Sequence, residues 1–247
     1  MENIGIYVHV PFCIRKCPYC DFYSEDHWDN AKKTKLVQAI CREIDIVCGY
    51  YRMQEKRKLI SIYFGGGTPS LLEPEEFTEI LRHIDAAFKI TTRTEVTMEC
   101  NPATADAQRL QAYKKSGLNR LSIGMQSFDR DVLRTLGRIH TPEEAVTCVE
   151  KARRAGIRNI SLDLMFGIPG QTLQSFEAVL YFLDAFCRKG DQSGREASFP
   201  LQSGIYGRHA FRICQRSGVH AGDCAGARPA DVRERTAHAR RGGAVPI

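Results

Sequence analysis

The sequence predicts an α/β fold built on a parallel sheet, doubly wound or barrel-like. Three observations carry that expectation. Apolar, β-branched runs alternate with amphipathic helical segments at the spacing of strand–helix–strand units. Capping and stop signals fall where the periodic segments begin and end. At 247 residues with 43% hydrophobic content, the chain can bury one sizeable core, and a single α/β barrel can be this long.

The elements follow in order. Ile4–Val10 (IGIYVHV) is a β-rich run. A helix is expected over Asp29–Cys48, where Leu36, Ile40, Ile44 and Val47 recur with helical period. Leu59–Phe64 (LISIYF) reads as a buried strand ended by Gly65, Gly66 and Gly67. Pro74–Phe88 opens with proline and acidic residues, as helix N-termini prefer. Glu95–Glu99 reads as a strand, Ala103–Lys115 as a helix closed by Gly117, and Arg120–Gly124 as a strand. Thr141-Pro142-Glu143-Glu144 is a capping box whose helix runs to Arg154 and stops at Gly156. Asn159–Met165 (NISLDLM) is the fifth strand, and Thr172–Phe186 the last helix. These five strand–helix units set residues 1–187 apart as one domain.

Residues 188–247 follow a different grammar. They hold nine Leu, Ile, Val or Phe in 60 positions, too few for a packed core, while Arg, Gly and Ala supply 28. They also hold 11 Lys+Arg against 5 Asp+Glu, which accounts for the whole net charge of +6 and leaves the body neutral. A solvated basic tail and an RNA-binding tail are two readings, but Phe199, Tyr206 and Phe211 are not interleaved with Arg as stacking platforms need. The reading preferred here is a non-native or disordered end, such as a frame shift leaves in place of the true continuation. Nucleic-acid binding is thus not expected.

No apolar run approaches the roughly 20 residues of a membrane helix. The N-terminus MENIGIYVHVPFC lacks the basic and apolar regions of a signal peptide, so a cytoplasmic location is expected. There, ten cysteines point to metal or redox chemistry where they cluster and to buried free thiols where they scatter. Cys41, Cys48, Cys100, Cys148 and Cys187 are read as scattered core thiols.

Three features carry chemistry. Cys13, Cys17 and Cys20 form a C-x3-C-x2-C run directly after the first strand. Three thiolates in so short a loop are expected to converge and to hold three irons of a [4Fe–4S] cluster, leaving the fourth open to a small molecule. Zinc is the other reading, but zinc sites usually pair C-x2-C with a second ligand pair, and none follows nearby. Tyr63-Phe64-Gly65-Gly66-Gly67-Thr68-Pro69-Ser70 ends the second strand in glycines that let backbone approach a ligand closely. Glu99, Gln126 and Asp163 close later strands with polar groups, at the strand ends where α/β barrels bind ligands.

With these motifs in view the chain resembles the radical S-adenosylmethionine (SAM) superfamily. Within it, the chain resembles the branch of oxygen-independent coproporphyrinogen III oxidases (HemN) and HemW-type haem chaperones. The resemblance covers about residues 3–186 and rests on YVHVPFCIRKCPYCDFYS, IYFGGGTPSLL, VTMECNP, GLNRLSIGMQSF, LGRIH and DLMFGIPGQT. It implies a partial, open (β/α)6 barrel, TIM-barrel-like. It implies Cys13, Cys17 and Cys20 as cluster ligands, and Gly66, Gly67 and Thr68 as receivers of the SAM amino group. Tyr7 and His9 would lie near cluster and SAM. Glu99, Gln126 and Asp163 would touch its amino acid and ribose parts, and Arg138 its carboxylate. The chemistry it implies is one-electron cleavage of the SAM sulfonium to methionine and a 5′-deoxyadenosyl radical.

Oxidase members typically carry a further Cys two residues after the third ligand, where this chain has Phe22. The resemblance therefore favours the HemW branch, a chaperone that binds haem and passes it to acceptor proteins. An oxidase of porphyrin biosynthesis, or an inactive truncated product, are the alternatives. Family members continue into a sixth strand and a C-terminal domain that helps bind haem or substrate. Here that continuation is expected to be missing, so the SAM half is expected without the haem half. The haem acceptor and the electron donor are not legible in the sequence.

Overall fold

A computed structural model describes residues 2–52, 57–189, 201–202 and 210–215, all within the unit Met1–Ser217. Five strands lie side by side in parallel: β1 (Glu2–Val10), β2 (Arg57–Gly66), β3 (Glu95–Cys100), β4 (Arg120–Gln126) and β5 (Asn159–Met165). Helices return the chain between them: α1 (Asn30–Arg52), α2 (Pro74–Phe88), α3 (Ala107–Lys115), α4 (Arg130–Thr135) and α5 (Pro142–Arg154). α6 (Leu173–Lys189) follows β5. The spatial strand order equals the chain order through β5, which is the order of a barrel and not of a doubly wound sheet.

The alternation along each strand decides what the sheet does. One face carries Phe64, Val96, Met98, Leu121, Ile123, Met125, Ile160, Leu162 and Leu164, all buried. They join Phe77, Ile80, Leu110, Tyr113 and Val149 of the helices in one apolar core. Phe77 sits 4.8 Å from Phe64 and 5.4 Å from Tyr113, ring centre to ring centre. Burying each such side chain contributes about 1.5–3 kcal/mol. The opposite face of the same strands is polar: Tyr7 and His9, Tyr63, Thr97 and Glu99, Ser122 and Gln126, Ser161 and Asp163. Burying polar groups without partners is costly, and the Ser122 hydroxyl accordingly bonds Asp163 and Ser161 across the two strands.

Helix bounds follow local chemistry. Thr141 and Glu144 form the expected capping box, with bonds of 2.7 and 3.3 Å. The single helix expected over Ala103–Lys115 is instead a 3-10 turn, Pro102–Thr104, followed by α3. Asp106 makes the break, because its carboxylate accepts from Arg109 N at 2.8 Å and starts a new helix. α4, not expected from the sequence, starts in the same way: Asp129 accepts from Asp131 N at 2.8 Å and Val132 N at 3.2 Å.

Beside β5 the described chain places β7 (Ala210–Gln215), antiparallel, with β6 (Leu201–Gln202) antiparallel to β7. These two strands fall in the stretch expected to be irregular, and Ala-Phe-Arg-Ile-Cys-Gln has the period-two pattern of a strand. No sixth parallel strand is present among the described residues. The remainder of residues 188–247 lies outside the described residues, as do the side chains of Cys48 and Cys187. No described helix is long and apolar enough to cross a membrane.

Candidate functional site

The cysteine loop leaves β1 at the sheet's C-terminal edge and is tied down on both sides. Cys13 N donates to Glu25 O at 2.9 Å, and Glu25 N to Pro11 O at 2.8 Å. The Trp28 indole donates to Cys13 O at 2.7 Å, and its ring lies 5.2 Å from Phe12. Asp26 accepts from Lys16 N at 3.1 Å, and Lys32 pairs with Glu25. The turn after β2 holds the other side: Gly67 N donates to Val10 O at 2.8 Å, and Thr68 N to Phe12 O at 2.7 Å. A Cβ on Gly67 would lie 2.7 Å from the Pro11 and Phe12 backbone, so only glycine lets the two chains approach this closely. The Thr68 hydroxyl reaches Cys13 Sγ at 3.6 Å. Behind the turn, Tyr113 and Arg109 hold the carbonyls of Ser70 and Leu72.

On the polar face, the Tyr7 hydroxyl lies 3.1 Å from His9 Nδ1, and His9 Nε2 lies 3.0 Å from Tyr23 O. A carbonyl only accepts, so Nε2 carries the proton and Nδ1 accepts from Tyr7. The His9 ring packs against Gly66, where a Cβ would come within 2.5 Å. Glu99 is gripped from β2: the Tyr63 hydroxyl donates to Oε1 at 2.7 Å and Gly66 N to Oε2 at 3.1 Å. Asp163 accepts from the Ser122 hydroxyl at 3.1 and 3.3 Å.

The end of β4 is strained. Gln126 has φ +64°, and Ser127 N donates to Met125 O at 2.8 Å, which closes a γ-turn of the rarer, positive-φ kind. Such a residue stores about 1–3 kcal/mol and persists only where its surroundings hold it. The segment Gly137–His140, between α4 and α5, packs against this turn. Arg138 Nη2 donates to Gly124 O at 2.8 Å, and His140 Nε2 to Met125 O at 3.0 Å. Arg138 Nη1 also lies 3.7 Å from Cys17 Sγ. Burial, with the Arg138 charge beside it, pushes the His140 imidazole down to about 4, so it is neutral at ordinary pH.

The residues expected from the sequence therefore meet at one edge. Cys13, Thr68, Gly66, His9, Tyr7 and Glu99 are linked through contacts on β1 to β3. Arg138 ties Cys17 to the β4 end beside Gln126, and Asp163 lies on the same face of β5. Gly67 and Thr68 use their backbone N–H groups on the cysteine loop. Sequence reasoning missed Tyr63, Ser122, His140 and Trp28 as parts of the site. Tyr63 and His140 lie inside motifs that were noticed (IYFGGGTP and LGRIH), but their partners are far away in sequence.

Three half-buried thiols, free of disulfides, are a soft donor set suited to iron–sulfur ligation. The Cys20 thiol is pushed above its ordinary value, first by burial and then by the Cys17 and Cys13 sulfurs. A cationic partner favours its thiolate, and a cluster's irons provide one, so the donor set fits that group. Among the described residues no three His, Cys, Asp or Glu side chains are grouped tightly enough to hold a single metal ion. The thiols thus do not converge on one point as expected; cysteines of a four-iron cluster each take a different iron.

Comparison with known proteins agrees with this geometry. The profile of the Radical SAM superfamily matches residues 7–183. The haem chaperone HemW of Escherichia coli is 39% identical over 174 residues, covering 70% of this chain and 45% of the relative. An oxygen-independent coproporphyrinogen III oxidase of Bradyrhizobium diazoefficiens is 36% identical over 175 residues, covering 70% of this chain and 38% of the relative. The structure of the Escherichia coli coproporphyrinogen III oxidase HemN, a radical SAM enzyme, superposes with a TM-score of 0.68 at 26% identity. It covers 75% of this chain and 42% of that one. The chain spans less than half the length of these relatives. The open five-stranded parallel sheet, the cysteine loop at its C-terminal edge and the match over most of the chain lead to one conclusion: the chain belongs to the radical SAM superfamily, among relatives of HemW and HemN.

Proposed function

We propose that residues 1–187 form the cluster- and SAM-binding part of a HemW-type haem chaperone. The observation that carries the reading is the joint between cysteine loop and polar face: Thr68 on Cys13, Arg138 on Cys17, and Glu99 fixed by Tyr63 and Gly66. Cys13, Cys17 and Cys20 would hold the cluster. Glu99, Gln126, Asp163 and Arg138 would hold SAM, with Tyr7, His9 and the Gly66–Thr68 turn beside it. When bound, the pair supplies one-electron reductive cleavage of a sulfonium C–S bond. The chain's own part is to anchor and orient. Glu99 presents a fixed carboxylate to an ammonium, a charge-assisted contact. Arg138 neutralises negative charge beside the thiolates, and the helices keep water from the sheet's other face.

The chaperone reading is supported by HemW relatives at 34–39% identity and by Phe22, which stands where the oxidases carry a further cysteine. The structural similarity to HemN favours a second reading, a porphyrinogen oxidase. Anaerobic reconstitution followed by two assays separates them. The chaperone reading expects SAM binding, haem transfer to an acceptor protein, and no decarboxylation of coproporphyrinogen III. Coproporphyrinogen-dependent release of 5′-deoxyadenosine contradicts it. Tight one-to-one binding of haem by residues 1–187 would show that this part of the chain carries a haem site of its own.

A further inference from the structure

We propose that His140 is a positioning residue: it locks the strained γ-turn around Gln126, and so makes Gly137–His140 a bracket between cysteine loop and ligand face. The SAM part of this inference rests on the reading given above.

The Met125 carbonyl is the hinge. It accepts two hydrogen bonds, one from Ser127 N at 2.8 Å and one from His140 Nε2 at 3.0 Å. The first closes the turn around Gln126, and the second fixes the carbonyl that the turn closes on. Gln126 is one of two non-glycine residues with positive φ among the described residues, so its conformation needs outside support. His140 is 3% exposed and reaches Met125 from another element, which gives that support a fixed origin. Its Nδ1 has no hydrogen-bond partner, so the Met125 bond is the hydrogen bond that orients the buried ring.

The same segment grips two further points. Gly137, at φ +68°, lies against Pro18, where a Cβ would come within 2.7 Å of Cδ. Arg138 joins Cys17 Sγ to Gly124 O. A Cβ on Gly124 would lie 3.0 Å from Gln126 Nε2 and 3.3 Å from Arg138 Nη2, so both side chains pass over that glycine. Three residues of this short segment, Gly137, Arg138 and His140, thus set the cysteine loop and the Gln126 amide relative to each other. His140 does this without touching a ligand.

The test compares wild type with His140→Leu, which fills the volume without a donor, and His140→Gln, which keeps one. Hydrogen exchange of the 124–128 peptide is read without any ligand. His140→Leu is expected to speed its exchange about tenfold, with β1–β3 peptides unchanged and His140→Gln partly restored. In reconstituted protein, His140→Leu is expected to keep its iron and lose about tenfold in SAM affinity. Gln126→Ala should lose a similar amount, and the double variant no more than either, because the two act as one unit. Unchanged exchange at 124–128, or losses that add in full, would overturn the inference. If His140→Leu does not fold, nitrogen NMR of the wild type decides: a proton on Nε2 supports the clamp and one on Nδ1 overturns it. A wild type that binds no SAM would remove the ligand reading, while exchange would still decide the clamp.

Discussion

The Tyr63 hydroxyl donates to Glu99 Oε1 at 2.7 Å, from β2 to the end of β3. Two rigid strands thereby fix a carboxylate at the sheet edge, beside the turn that carries Gly66 and Thr68. Glu99 is thus set before any ligand arrives, which lowers the ordering cost of binding. Tyr63→Phe removes this hold and leaves the one from Gly66 N. The expected outcome is an unchanged fold and iron content with SAM affinity five- to tenfold weaker, roughly the worth of a hydrogen bond to a charged group. Equilibrium dialysis with labelled SAM reads it, and an unchanged affinity would show that Glu99 needs no such support.

Gly67→Ala tests the close approach of turn and cysteine loop. The added methyl meets backbone at 2.7 Å, which cannot move aside as a side-chain tip can. Overpacking of this kind costs about 1–3 kcal/mol. The loop from Pro11 to Cys13 is expected to shift, with iron per chain falling well below that of the wild type while the far-ultraviolet spectrum is kept. Full iron loading in the variant would show that the cysteine loop is placed independently of the glycine turn.

Thr141→Ala is a control on the fold alone. The hydroxyl accepts from Glu144 N at 3.3 Å and caps α5. Its loss is expected to lower stability by about 1 kcal/mol in urea titration and to leave iron content unchanged. A loss above about 3 kcal/mol would mean that the cap also braces the neighbouring His140 segment.

The pH dependence of stability follows from His140. Burial holds its imidazole near 4, against an ordinary 6.5. Between these values the unfolded chain takes up a proton that the folded chain refuses. Stability is therefore full above pH 6.5 and falls as pH drops toward 4, by at most about 3 kcal/mol from this residue. Urea midpoints measured from pH 7 to 4.5 should show a steeper decline for wild type than for His140→Gln. Parallel curves would mean that His140 titrates normally in the folded chain.

Much of this was legible beforehand, for identifiable reasons. α2 and β5 fall on their expected bounds because Pro74 with its acidic followers, and the NISLDLM alternation, are strong local signals. Glu99, Gln126 and Asp163 stood out because a polar group ending an apolar strand contradicts the strand's own pattern. The Asp106 break and α4 were missed because a capping Asp within a short segment leaves no periodicity to read. Tyr63, Ser122, Trp28 and His140 were missed for another reason. Each acts through a partner on another element, such as Tyr63 on Glu99 or Trp28 on Cys13, and only the fold brings them together.

The central claim is that Cys13, Cys17 and Cys20 would hold a [4Fe–4S] cluster and that the Glu99–Gln126 surface would hold SAM beside it. Anaerobic iron–sulfide reconstitution, with electron paramagnetic resonance of the reduced protein before and after adding SAM, tests it most directly. The predicted result is about four irons per chain and a spectrum that shifts when SAM is added. A soluble, anaerobically handled chain that takes up no cluster, or holds one whose spectrum ignores SAM, would contradict it.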